Sequence, residues 1–175
     1  LKAGAIGLAI VMVFMIVMYA VPGIAASLAL AIYTTLVIAT LYLFEITLTL
    51  PGIAGIILGI GMAVDANVIV FARIREEIAT GKSVQTSMKI GFQKAMSAIL
   101  DGNITTLIAS VVLMALGSGT VKGFAYTLMI GIILSLFTAM VVTRYILYSL
   151  YALGLKSEKL YGRAKERKSI DFIGK

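Results

Sequence analysis

The chain has 175 residues, of which 61% are hydrophobic and only 13% charged, and its mean hydropathy is +1.06. Soluble domains run near ~45–50% apolar and ~25% charged, so this composition excludes both an ordinary water-soluble globule and a disordered chain. There is no cysteine and no histidine, which removes disulfides, thiolate and imidazole metal sites, cysteine nucleophiles and every Ser-His triad. The remaining class is a polytopic all-α membrane protein whose chemistry rests on a few Asp, Glu, Arg, Asn and Thr residues.

A spanning helix needs ~20 mostly apolar residues. The first such run covers about 3–21 and ends at Pro22-Gly23, a helix-breaking pair. The second covers about 24–44 and is followed by Glu45, a charge at the outer interface. The third covers about 51–72, with Pro51 at a helix start, where its missing N–H costs little. It carries one charge, Asp65, before Arg73, Arg75, Glu76 and Glu77 close it. A hydrophilic stretch follows. Within it, 83–98 reads as an amphipathic helix, with Val84, Met88, Phe92, Ala95, Met96 and Ile99 on one face. Such a helix either lies in the membrane interface or packs on the protein's own cytoplasmic surface. The fourth span covers about 99–116 and the fifth about 124–151, the latter long enough to tilt or protrude. Residues 1–155 thus form the membrane domain, and 156–175 a basic, cytoplasmic tail.

The net charge of +7 follows topology rather than a nucleic-acid surface. One side of the membrane collects Arg73, Arg75, Lys82, Lys89, Lys94 and seven basic residues of the tail, while the other holds Lys2 and Lys122. By the positive-inside rule the C-terminus is cytoplasmic and Leu1 extracytoplasmic. An exported start that lacks a charged leader points to a longer parent with a further N-terminal span or signal.

The third span carries the most information. Gly52, Gly55, Gly59, Ala63 and Asn67 share one face, and Gly55 with Gly59 forms a GxxxG pair for close helix packing. Ala54, Gly61, Asp65 and Ala72 share another, so the helix is expected at the centre of its bundle. Asp65 lies eight residues before Arg73, ~12 Å at ~1.5 Å per residue, well inside the hydrocarbon layer. An ionised carboxylate there costs at least ~2.5–3.5 kcal/mol. Two readings follow. Asp65 is either a titrating proton carrier kept from water within the assembly, with Asn67 as a second relay residue, or a neutral, hydrogen-bonded residue that fixes packing. Asp101 and Arg144 fall at similar depth near the inner interface and form a candidate pair, the alternative for Arg144 being simple snorkelling. Asn103, Thr105 and Thr106 follow Asp101, either as interhelical hydrogen-bonding groups or as part of a proton or water path.

These segments together resemble one family. Leu48-Thr49-Leu50-Pro51-Gly52-Ile53-Ala54-Gly55, Ala63-Val64-Asp65-Ala66-Asn67-Val68, Arg73-Ile74-Arg75-Glu76-Glu77, Asp101-Gly102-Asn103-Ile104-Thr105-Thr106-Leu107 and Gly119-Thr120-Val121-Lys122-Gly123-Phe124-Ala125 are similar to the SecD family of protein-export membrane proteins. The likeness runs to about Leu150. It implies a half of an RND-type bundle in the cytoplasmic membrane that works beside a SecF-type subunit and the Sec translocation channel. It also implies that proton flow through the position of Asp65 drives an outer domain acting on the preprotein, with the partner cation on the SecF-type subunit. No cofactor, metal, nucleic acid or enzymatic activity is expected. An intramembrane aspartyl protease is disfavoured because Gly59-Ile60-Gly61 is followed by Met62, not Asp. An RND-type small-molecule exporter half and a passive structural subunit remain the alternatives.

Overall fold

A computed structural model of the chain describes residues 2–153 and residue 161. Among these residues there are helices and no strands. They are α1 (Lys2–Tyr19), α2 (Val21–Leu43), α3 (Leu50–Ala79), α4 (Val84–Leu116), α5 (Thr120–Phe137), a π-helical turn (Thr138–Val142) and α6 (Thr143–Ala152). α5, the π-turn and α6 form one continuous rod. Four helical segments are long and apolar enough to cross a membrane: Val21–Leu43, Leu50–Ala79, Val84–Leu116 and Thr120–Ala152. Ile6–Tyr19 in α1 is a shorter apolar helix.

The turn between α1 and α2 is very tight. Ala20 takes φ +49°, a left-handed conformation uncommon outside glycine. Pro22 sits in the first turn of α2, where no backbone N–H is needed. Gly23 lies against the Met15 carbonyl and the Ile16 Cα, so that any Cβ at position 23 would overlap the backbone of α1. The next turn is capped by Thr49, whose Oγ1 accepts a hydrogen bond from the Gly52 N–H at 3.1 Å.

Two boundaries differ from the sequence expectation. The charges from Arg73 to Glu77 end the apolar span but not the helix, and α3 continues to Ala79. Arg and Glu are good helix formers once outside the bilayer. Termination comes at Thr80 and Gly81, the latter at φ +84°. The 83–98 amphipathic segment and the fourth span are not separate helices either. They form the single 33-residue α4, because nothing between Ala95 and Leu100 breaks a helix. Of the two settings considered for the amphipathic segment, packing on the protein itself is the one observed. Val84, Met88, Phe92, Ala95 and Ile99 are buried, with Gly91 packed directly on the Ile74 backbone of α3.

α3 is the central helix, in contact with α2, α4 and α5. One core cluster lies around its C-terminal half and includes Phe71, Ile74, Ile78, Met88, Ile99 and Leu147. A smaller one, with Leu30, Tyr33, Val37, Leu41 and Ala63, lies toward the other end. The expected tail at 156–175 falls outside the described residues except for Tyr161, which is buried in the first cluster.

Candidate functional site

The inner face of α3 is a packing seam. A Cβ at Gly55 would overlap Thr127 Oγ1 of α5, and one at Gly59 would lie 2.5 Å from the Tyr33 hydroxyl and 3.4 Å from the Gly131 Cα. The GxxxG pair therefore admits α5 and the ring of Tyr33 at backbone distance, as small-residue seams do. Tyr33 is fully buried, and its hydroxyl has no hydrogen-bond partner among the described residues.

Asn67 continues this inner face. It is 3% exposed, and its Oδ1 accepts a hydrogen bond from Thr143 Oγ1 at 2.7 Å. Thr143 is the first residue after the π-turn, so the bond ties the middle of α3 to the start of α6. A side-chain bond across two helices in a bilayer contributes about 0.6 kcal/mol on average and up to about 1.7.

Asp65 points elsewhere. At ~100° per residue, a separation of two places Asp65 and Asn67 on opposite sides of the helix. Ala54, Gly61, Asp65 and Ala72 are all exposed and share a face about 40° wide. Asp65 and Asn67, the two expected relay residues, are therefore not brought together within this chain. The carboxylate lies on the open side of the bundle, and no hydrogen bond or ion pair reaches it from the described residues. Gly61 likewise has open space where a Cβ would stand. It belongs to this outer face and not to the seam of Gly55 and Gly59.

The polar group near the inner interface is not assembled into a network. Asp101 and Arg144 are exposed and form no ion pair with each other or with any other described residue. The Arg144 guanidinium lies 5.8 Å from the centre of the Tyr148 ring. Asn103 Nδ2 donates back to the Ile99 carbonyl of its own helix at 2.7 Å. Thr106 contributes its carbonyl, which accepts from Ser110 Oγ at 2.8 Å, and Thr105 is exposed. Both of these bonds run back to the carbonyl four residues earlier within α4.

Sequence reasoning missed a charge cluster at the end of α3. Glu77 is 3% exposed and bridges Lys82 and Lys94, the latter at 2.6 Å. The Lys82 and Lys94 ammonium groups hold its carboxyl below the usual glutamate value, against the opposing effect of burial. The bridge pins the α3–α4 turn to the flank of α4. Its sequence signal was available: an acid one turn after Ile74, followed across a short turn by Lys82 and Lys94. Arg75 is also engaged, with its guanidinium 4.9 Å above the Tyr19 ring and Nη2 donating to the Met18 carbonyl at 3.3 Å, at the C-terminal end of α1, where a cation is favoured.

Residues 1–152 match the family described as protein export membrane protein SecD/SecF, C-terminal. The chain is 52% identical over 150 residues to the protein translocase subunit SecD of Acidaminococcus fermentans, covering 86% of this chain and 36% of that protein. It is 55% identical over 147 residues to SecD of Synechocystis, covering 84% and 31%. The chain thus spans about a third of the length of these curated relatives. Among solved structures, SecDF of Thermus thermophilus, described as a translocon-associated membrane protein, superposes with a TM-score of 0.84 at 37% identity. That superposition covers 87% of this chain and 21% of the other. A structure described as SecDF in a super-membrane-facing form gives a TM-score of 0.83 at 37% identity.

Proposed function

The chain belongs to the SecD/SecF protein-export membrane family, and from that premise we propose that it is the transmembrane module of a SecD-type subunit, half of an RND-type bundle. In this reading Asp65 relays protons, and the proton motive force drives preprotein movement by an outer domain of the longer protein. The observation that carries the reading is the position of Asp65. It is an acid in mid-span, on the open, small-residue face of the central helix, without a partner among the described residues.

Left against acyl chains, an ionised Asp65 would cost at least ~2.5–3.5 kcal/mol. A second helical half that covers Ala54, Gly61 and Asp65 would remove that cost and supply a cation. A SecF-type subunit is the partner we assign to this face, with the Sec channel as the further neighbour. Small residues on either side of the acid let the second half approach closely. Protonation of Asp65 then deletes one charge from the interface and shifts the balance between two ways of packing across it. Orientation follows the positive-inside rule: the α3–α4 turn and the C-terminus face the cytoplasm, in the cell membrane.

The test is Asp65→Asn in the full-length subunit, assembled with its partner in proteoliposomes under a proton gradient. Both proton flux and preprotein export are expected to fall to the background of liposomes that lack the complex. Export and flux at wild-type rates would remove the relay.

A further inference from the structure

Between α4 and the π-turn and α6 lies a cavity of about 180 Å³, at the level where the apolar runs of both give way to charge. One wall is a stripe of α4: Lys89, Phe92, Gln93, Met96 and Ile99. Arg144 closes the opposite side. Phe92 and Ile99 are buried and form an apolar floor, while Lys89, Gln93 and Arg144 are exposed at the rim. Among the described residues no acid lines the cavity. The acids nearest in chain are accounted for. Glu77 is bridged to Lys82 and Lys94, and Asp101 makes no ion pair with Arg144.

We propose that this groove binds the phosphate of an anionic diacyl phospholipid from the leaflet on the side of the α3–α4 turn. Two cations, neither ion-paired among the described residues, and an amide converge on one rim, and the adjoining floor is hydrocarbon. That is the order of chemistry along a phospholipid, from phosphate to the first methylenes of an acyl chain. Depth agrees, since Arg144 lies about 30 Å along its rod from Phe124, one hydrocarbon thickness. Basic pockets between spanning helices at this level recognise lipid headgroups in this way. With two cations and no acid, the rim selects an anionic headgroup over a zwitterionic one. The site is separate from the Asp65 face and does not depend on the relay.

The experiment is native mass spectrometry of the full chain released from micelles doped with equal amounts of phosphatidylglycerol and phosphatidylcholine. The wild type is expected to retain phosphatidylglycerol preferentially. Each cation is worth about a fivefold preference, so Lys89→Gln with Arg144→Gln should lower retention about twenty-five-fold, and Lys89→Arg should keep it. Arg73→Gln removes the same charge outside the cavity and should change nothing. Should the double variant fail to fold, the exposed single change Lys89→Glu is expected to reduce retention at least fivefold. Equal retention of the two lipids by the wild type would overturn the assignment. So would undiminished retention in the double variant or in Lys89→Glu, or an equal loss in Arg73→Gln, which would mark diffuse attraction to basic residues. Displacement of the lipid by millimolar inorganic phosphate would identify a free anion as the ligand and overturn it equally.

Discussion

Gly91→Ala adds one methyl group at the tightest crossing of α3 and α4. The new Cβ would fall 2.6 Å from Ile74 Cγ1, 2.8 Å from its backbone N and 2.9 Å from its Cα. The side-chain atom can rotate away, but the backbone cannot. To reach 3.4 Å, where ordinary contact begins, the helices must separate by about 0.6 Å. A gap of that size forfeits roughly a quarter to a half of each dispersion contact along the seam. Met88, Phe92 and Ala95 on α4 and Phe71, Ile74 and Ile78 on α3 all lie in the affected core. Overpacking of this kind costs about 1–3 kcal/mol. Replacing a helical glycine also brings a gain of up to about 1 kcal/mol from propensity, and a control removes it. Gly102→Ala lies in the same helix with open space around its Cβ, so it carries the propensity gain without the clash. The difference between the two variants should be about 1–3 kcal/mol in favour of Gly102→Ala. Unfolding of the purified chain in mixed micelles, followed by circular dichroism over a denaturing-detergent titration, reads this difference. Equal midpoints would refute the close approach of α4 to the Ile74 backbone.

Two other outcomes follow from the geometry. Gly61→Leu should leave the stability of the isolated chain within about 0.5 kcal/mol, because nothing stands near that position, yet it should abolish co-purification of a SecF-type partner; a partner that stays bound would place the interface elsewhere. Glu77→Gln removes a carboxylate whose folded value lies below its ordinary one. The stability it contributes is complete above the unfolded carboxylate range, near ~4.3, and is lost as pH falls through the folded value. Amide exchange at the α3–α4 turn should therefore be faster in Glu77→Gln than in the wild type at pH 7, and the two should converge in acid.

The helical ladder was legible because long apolar runs in a membrane can hide their backbone groups only as helices or closed barrels, and no alternating pattern competes. The Pro22-Gly23 turn and the Gly55/Gly59 seam were legible for the same local reasons that make them work. The end of α3 at Ala79 and the unbroken run of α4 through Ile99 were not. Charge stops a membrane span without stopping a helix, and hydropathy reports only the first. The two small faces of α3 were both readable, as was the half-turn between Asp65 and Asn67. Which face turns inward depends on what α2 and α5 offer, and Tyr33, Thr127 and Gly131 come from distant parts of the chain. The Asn67–Thr143 bond was out of reach for a further reason. It spans 76 positions and requires a π-turn that no residue pattern announced.

That turn has a consequence for everything that follows it. The Thr143 N–H bonds to the Thr138 carbonyl, five residues back, so the rod accommodates one more residue at this point than regular winding would. Thr138–Val142 thus acts as an index mark, setting the azimuth of the last ten residues relative to α5. Rewinding this turn as regular α-helix with every residue retained would advance each later side chain by about 100°, swinging the Thr143 hydroxyl off Asn67 and the Arg144 guanidinium out of its groove in the same stroke.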